Sequence, residues 1–273
     1  MSASVPDSVP ASVSDSFSAP GPYYCITHRE VPWPVPSFMT MVGTGDYEPA
    51  GGVALSRAFP ELAHRNGVLG EYAAMFAIRR ILERDGVTGF VGTGQYRRFA
   101  VTEATGRPEG IHSIVTPEEF VELPSGAFVG DGTAPVIPGR LTFPMSLLEQ
   151  HAGVHTGRDL LHYFAAAAEC GVVTDREAAR FLTGRTLIAM ASVGYVPVPW
   201  FVQTMRLLEE VTDRFTERYY VPRQGDQERV VGWCCERLHG LLWERRIQEW
   251  LPKELVSHPV IVVAESGHYA ASA

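Results

Sequence analysis

Gly89-Phe90-Val91-Gly92-Thr93-Gly94-Gln95-Tyr96-Arg97-Arg98 is the stretch on which the fold turns. Its first four residues read as a central strand, and the last six as the loop leaving that strand's carboxyl end. Ahead of it the hydrophobic period predicts a helix from about Val68 to Arg84, stopped by Gly86. At about 100° per residue, Leu69, Ala73, Phe76 and Ala77 share one arc, and Met75, Ile78 and Leu82 form a second. A helix apolar on two sides is buried between a sheet and its neighbours. Upstream, Tyr23-Tyr24-Cys25-Ile26-Thr27 and Phe38-Met39-Thr40-Met41-Val42 are short β-type runs, the second closed by Gly43 and Gly45. Strand, helix and strand in this order predict a βαβ unit, hence an α/β fold with a mainly parallel sheet.

Downstream, a further strand is expected through Ala127-Phe128-Val129, ending at Gly130-Asp131-Gly132. From Met145 the pattern turns helical, with segments near 145–152, 157–170, 174–182, 199–219 and 226–250, before a last β-run at Val260-Ile261-Val262-Val263. No linker or repeat divides the chain, so residues 23–265 read as one α/β domain with a helix-rich C-terminal half. The Ser/Ala/Pro-rich residues 1–22 cannot offset their own ordering entropy and are expected to be a disordered tail, with a second short tail at 266–273.

The chain has 273 residues, is 45% hydrophobic and carries a formal net charge of −8, which excludes a basic nucleic-acid-binding face. No apolar run reaches the roughly 18 residues of a membrane span, and the first residues lack a secretory pattern. Cys25, Cys170, Cys234 and Cys235 form neither a CxxC pair nor a zinc spacing, so reduced thiols in a cytoplasmic protein are expected.

Glu71 is the most informative residue. It falls on the arc of Met75, Ile78 and Leu82, where an unpaired carboxylate would be costly or would shift its pKa until neutral. Arg97 and Arg98 are the partners on offer. The pair either fixes the helix against the sheet or places a carboxylate, held by arginine, at the edge of a ligand cleft. Arg97-Arg98 after Gly92-Thr93-Gly94 suits an anion, because glycine lets backbone N–H groups approach and guanidinium groups grip phosphate or carboxylate bidentately. His28 and Arg29 follow the first strand and either share that cleft or serve the strand end. Asp131 is a turn aspartate or a ligand for a divalent cation. His151, His155, Asp159 and His162 have helical spacing for a metal, but Gly153 and Gly157 interrupt the face. Near the C-terminus, Val230, Cys234, Leu238 and Leu241 make a core stripe. Arg237 lies at its edge, partly buried and paired, and Glu236 points away, toward solvent or a cleft. No nucleophile elbow, Walker loop or dinucleotide fingerprint is present, and no redox cofactor is expected.

These residues resemble a family, the bacterial capsular-polysaccharide type of glycosyltransferase, an uncharacterised-function domain with a glycosyltransferase-A-like fold. Tyr24-Cys25-Ile26-Thr27-His28-Arg29 is similar to its strand ending in His-Lys, and Met41-Val42-Gly43-Thr44 to its QVGA strand. Asn66 and Glu71-Tyr72 resemble its helix, and Gly92 to Phe99 its GLxHYRRYF segment. His155-Thr156-Gly157-Arg158-Asp159-Leu160 and Arg229 to Leu238, with Trp243 beyond, resemble its two later motifs. The resemblance spans about residues 23–263. It implies a nucleotide-sugar-binding fold with His28, Glu71, Arg97, Arg98 and Arg237 near the donor or acceptor cleft. Together with the residue reading above, the expectation is Glu71, Gln95 and Arg97 as catalytic groups, and His28, Arg29, Tyr96, Arg98, Asp159, Glu236 and Arg237 around the substrate. The chain departs from the family in three places. The acidic stretch before the helix is replaced by Ala54 to Ala63, the histidine of HYRR is Gln95, and the asparagine of a later strand gives way at Ala189.

Two enzymatic readings follow. In the first, a sugar passes from a nucleotide-diphosphate donor to a small acceptor, with arginines or a divalent cation stabilising the leaving group. In the second, the same fold is repurposed for non-sugar chemistry on a small anionic metabolite in specialised (natural-product) biosynthesis. A third reading is a binding or scaffold protein descended from the enzymes.

Overall fold

The computed structural model describes residues 21–249 and 258–265. Residues 1–20 and 266–273, expected as tails, lie outside the described residues, as does Trp250. Gly21 and Pro22, assigned to the first tail from sequence, are ordered against the sheet. Gly92 N donates to Pro22 O at 2.9 Å, and Gly21 N donates to the Tyr195 hydroxyl at 3.1 Å.

The chain opens with β1 (Tyr23–Thr27), β2 (Met39–Gly43) and β3 (Val53–Ala54), then four helices, α1 (Leu55–Ala58), α2 (Pro60–Ala63), α3 (Asn66–Leu69) and α4 (Glu71–Arg84). Next come β4 (Phe90–Gln95), β5 (Arg98–Ala100), β6 (Arg107–Glu109), β7 (His112–Val115), α5 (Pro117–Glu122), α6 (Gly126–Val129) and β8 (Arg140–Thr142). The second half holds α7 (Leu147–Ala152), α8 (Gly157–Glu169), α9 (Asp175–Thr183), β9 (Thr186–Ile188), β10 (Gly194–Pro197) and α10 (Val198–Arg218). A 3-10 turn (Gly225–Arg229) leads into α11 (Val230–Glu249), and β11 (Val260–Val263) closes the fold.

The main sheet runs β3-β2-β1-β4-β5-β11-β7-β6, with β10 added antiparallel to β4. Its first four strands are parallel throughout, and β11 enters between β5 and β7, parallel to β7. Strand β1 shows why the apolar run is unbroken: it is buried on both faces. Tyr24 and Ile26 join the larger core beneath α4, α8, α10 and α11. Tyr23 and Cys25, pointing the other way, pack with Phe99, Phe120 and Phe128 in a second core. All four cysteines are free thiols. Among the described residues no helix is long and apolar enough to cross a membrane.

Three expectations change. The strand expected at Ala127–Val129 is the helical turn α6, because Phe128 N bonds back to Ser125 O at 2.9 Å and Gly130 closes the turn at φ 59°. Three apolar residues cannot by themselves tell a strand from a buried turn. The helix expected from Val68 to Arg84 is two helices, α3 and α4, broken at Gly70 (φ 57°, ψ −135°). The loop expected after Gly92 is mostly strand: β4 continues to Gln95, and the chain reverses over Tyr96-Arg97 so that Gln95 pairs with Arg98.

Candidate active site

The chain leaves β1 toward β2 on one side of the sheet, while β4 lies on its other side. Such a reversal of strand order opens a crevice at the carboxyl ends of the two strands. Here those ends are Thr27-His28 and Gln95-Tyr96. The break at Gly70 and the first turns of α11 wall the crevice, which encloses about 300 Å³.

Its floor is acidic. Gln95 Nε2 donates to Glu71 Oε1 at 3.1 Å and lies 3.3 Å from Ser192 Oγ. Arg98 Nη1 donates to Gln95 Oε1 at 3.3 Å. The carboxamide thus bridges the acid to the arginine, where direct pairing with Arg97 or Arg98 was expected from sequence. Burial raises the Glu71 carboxyl above the ordinary range, and the Glu236 carboxylate raises it further, while Arg98 and Arg229 pull it back. Glu236 faces the same crevice from α11. Its Oε1 accepts from Met190 N at 2.8 Å, and its Oε2 lies 3.6 Å from Arg237 Nη1. Met190 itself holds φ 55°, uncommon for a side-chain-bearing residue, and lines the crevice.

The rim is cationic and built around the buried Tyr96. Arg29 and Arg97 place their guanidinium carbons 5.3 and 5.1 Å from the Tyr96 ring centroid. His28 meets the same ring edge-on at 5.7 Å and Trp33 stacks at 6.3 Å. Partial burial, then Arg229, Arg29 and Arg97, hold the His28 imidazole below its ordinary pKa. None of Arg29, Arg97 and Arg229 has a salt-bridge carboxylate among the described residues.

Of the residues singled out from sequence, Glu71, Gln95, Tyr96, Arg97, Arg98, His28 and Glu236 line the crevice, and Arg29 stands beside them on Tyr96. Arg237 is buried behind it, donating to Gln150 Oε1 at 2.9 Å. Asp159 is buried elsewhere under Arg223, which donates to its two oxygens at 3.1 and 2.9 Å. Asp131 is exposed and accepts from Thr133 N and Oγ1 at 2.9 and 2.7 Å, an ordinary turn pattern. His155 sits in the connection between α7 and α8, so the four spaced residues from His151 to His162 share no single helical face. The described residues bring no three His, Cys, Asp or Glu side chains into a metal-holding group.

Asn66, Met190, Ser192, Arg229 and Trp233 also stand at the crevice and were not chosen as site residues from sequence. For Arg229 and Trp233 a signal existed: with Glu236 they fall at i, i+4 and i+7, one helical face. Trp233 is half-buried, and the His155 ring stacks on its indole at 3.5 Å and 18°.

No family model and no curated protein matches the sequence. Among solved structures, the apo structure of the bifunctional glycosyltransferase WbbM matches with a TM-score of 0.74 and 13% identity over 90% of this chain. The match covers 45% of that protein, so the chain spans less than half its length. The mixed α/β architecture with its mostly parallel central sheet is therefore a glycosyltransferase-A-like fold.

Proposed function

We propose that this chain is a glycosyltransferase-like enzyme that moves a sugar from a nucleotide-diphosphate donor to a small acceptor. One observation carries the reading. Across a single crevice at a strand-order reversal, a desolvated carboxyl on the floor faces the rim arginines Arg29, Arg97 and Arg229, which form no salt bridge among the described residues. The acceptor hydroxyl hydrogen-bonds to ionised Glu71 and yields its proton to that carboxylate as its oxygen attacks the anomeric carbon. The bond from that carbon to the diphosphate oxygen breaks, and the electron pair leaves with the diphosphate. Burial makes Glu71 a stronger base once ionised, and Gln95 fixes the orientation of its carboxylate. Arg97 and Arg229 receive the leaving charge as bidentate donors already in place. Among the described residues, the carboxylates that line the crevice are Glu71 and Glu236, and one oxygen of Glu236 is committed to Met190 N. Two carboxylates make no cage of their own for a resident cation, and no step runs through one.

A thermal-melting panel of UDP-, GDP- and dTDP-sugars tests the reading. A matching donor at about a hundredfold over its Kd adds about 2.7 kcal/mol to stability and raises the melting temperature. A panel that leaves it unmoved overturns the proposal. One observation favours the alternative, non-sugar chemistry on a small anionic metabolite: about 300 Å³ is at the bottom of the range of small-molecule sites. Small phosphates or carboxylates that raise the melting temperature, with no response to nucleotide sugars, would favour that alternative.

A further inference from the structure

The face that α11 turns toward the crevice repeats a chemical order along its axis. Arg229, the last residue of the 3-10 turn, leads into α11, whose first turns carry Trp233 and Glu236 one turn apart. A cation, an aromatic plane and a carboxylate follow one another on one wall. Trp233 is prepared on one side only. His155 lies flat on one face of its indole at 3.5 Å and is not among the residues that line the crevice, while Trp233 is, so the other indole face is the one left for a ligand. Burial and the neighbouring Arg237 push the His155 imidazole down to about 4, so the backing ring is uncharged at neutral pH. Rigid aromatic planes in ligand sites orient flat partners, and a few placed polar groups fix their register.

We propose that Trp233 is the stacking platform for the sugar ring of the ligand, with Arg229 toward its anionic group and Glu236 accepting its hydroxyls. This deepens the glycosyl-transfer reading and rests on it. A sugar ring fits the wall better than a nucleobase does. The polar group one turn beyond the indole is a carboxylate, which only accepts, and it suits hydroxyl donors rather than the mixed edge of uracil or thymine. Glu236 Oε1 is taken by Met190 N, and Oε2 lies 3.6 Å from Arg237 Nη1, beyond hydrogen-bond distance, so Oε2 keeps lone pairs for the ligand.

Calorimetric titration of the full chain with UDP-, GDP- and dTDP-hexoses, and with free UDP, GDP and dTDP, tests the assignment. The variants are Trp233→Phe, which keeps a ring, and Trp233→Leu, which keeps bulk without one. Both must melt cooperatively. The expected result is a loss of about tenfold in affinity for the nucleotide sugar in Trp233→Leu, most of it restored in Trp233→Phe. Free nucleotide affinity stays within about twofold of wild type in both. Equal losses for the sugar and the free nucleotide would move the base, not the sugar, onto Trp233 and overturn the assignment. Unchanged affinity in Trp233→Leu overturns it too, while leaving glycosyl transfer standing. If the wild-type chain binds none of the hexoses, glycosyl transfer itself falls and takes the platform with it.

Discussion

Gln95 Nε2 lies 3.1 Å from Glu71 Oε1, so the last residue of β4 hydrogen-bonds to the first residue of α4, and the same carboxamide accepts from Arg98. A neutral amide stands between the acid and the arginine. The arginine can therefore steady the acid's orientation without quenching its basicity through direct contact. Under glycosyl transfer, Gln95→Ala frees the carboxylate to rotate and lowers turnover by about tenfold or more, while donor affinity changes little. A kinetic split with KM altered and kcat intact would contradict this.

The raised Glu71 carboxyl has a pH signature. The folded chain holds this proton to higher pH than the unfolded chain does, so stability falls as pH rises from the ordinary glutamate range to the folded value. Above that value the cost is fully present. Glu71→Gln keeps the acceptor oxygen for Gln95 and removes the charge. It should melt above wild type at about pH 8 and converge with it at about pH 4, where both side chains are neutral. A melting difference that does not change with pH would refute a destabilising charge at Glu71. The same variant should lose about a hundredfold or more in turnover if Glu71 is the base.

The rim predicts linked changes at two residues. Arg229→Ala removes the foremost of the charges that depress His28, so the His28 imidazole should titrate closer to its ordinary 6.5. Proton NMR of the His28 ring reads this directly. Since Arg229 is exposed and forms no salt bridge among the described residues, the melting temperature should fall only slightly, through the loss of its pull on the Glu71 carboxylate. Arg97→Ala should raise His28 less, Arg97 being a smaller cause. Each loss should weaken diphosphate binding by about tenfold or more, the worth of a charge-assisted hydrogen bond. An unmoved His28 in Arg229→Ala would mean the guanidinium does not share its field.

Sequence reading reached the floor of this crevice because burial makes demands that a pattern can show. A carboxylate on an apolar arc needs company, and Glu71 was found that way. Arg97 and Arg98 were found by following a glycine-bounded strand to its carboxyl end. Hydrophobic period also placed β1, β2 and β11 and the long helices α8, α10 and α11. It did not show that β11 enters between β5 and β7, or that β10 pairs with β4, because strand order depends on contacts distant in sequence. Ser192 and Asn66 carry no period at all. Asp159 was misleading for a physical reason: a buried acid needs a cation whether or not a ligand is near, and Arg223 supplies it. The resemblance to a glycosyltransferase family and the match to WbbM agree on the fold, where coarse packing decides, and this chain itself departs from the family pattern at Gln95.

Gly70 tests how finely Glu71 is placed. Its φ of 57° with ψ −135° lies where only glycine is comfortable, and a Cβ there meets nothing within 4 Å. The cost of Gly70→Ala is therefore conformational rather than steric, about 1–3 kcal/mol. Relief of that strain would draw α3 and α4 toward one continuous helix and rotate Glu71 away from Gln95. Gly67→Ala is the control, having an ordinary φ and open space inside α3. It should be neutral or slightly stabilising. Equal melting of the two variants would show that the break is not held by backbone conformation.

Gly232 governs the opposite wall by a different mechanism. A Cβ at this position would sit 2.4 Å from Leu69 O and 2.9 Å from Leu69 C, and both neighbours are backbone. No side chain can turn aside to make room, so Gly232→Ala must push α11 away from α3. Overpacking of this kind costs about 1–3 kcal/mol. Trp233 and Glu236 ride on the same turns of α11, with Arg229 in the 3-10 turn joined to its start, and they would withdraw from the crevice together. Under the proposed reading, Gly232→Ala should therefore lower the melting temperature and also weaken donor binding. Gly70→Ala differs in that it should spare donor affinity and cut turnover, because it disturbs Glu71 but not the wall of α11. Calorimetry of both variants against one nucleotide sugar separates the two walls. Equal loss of donor affinity in both would show that the crevice yields as one body.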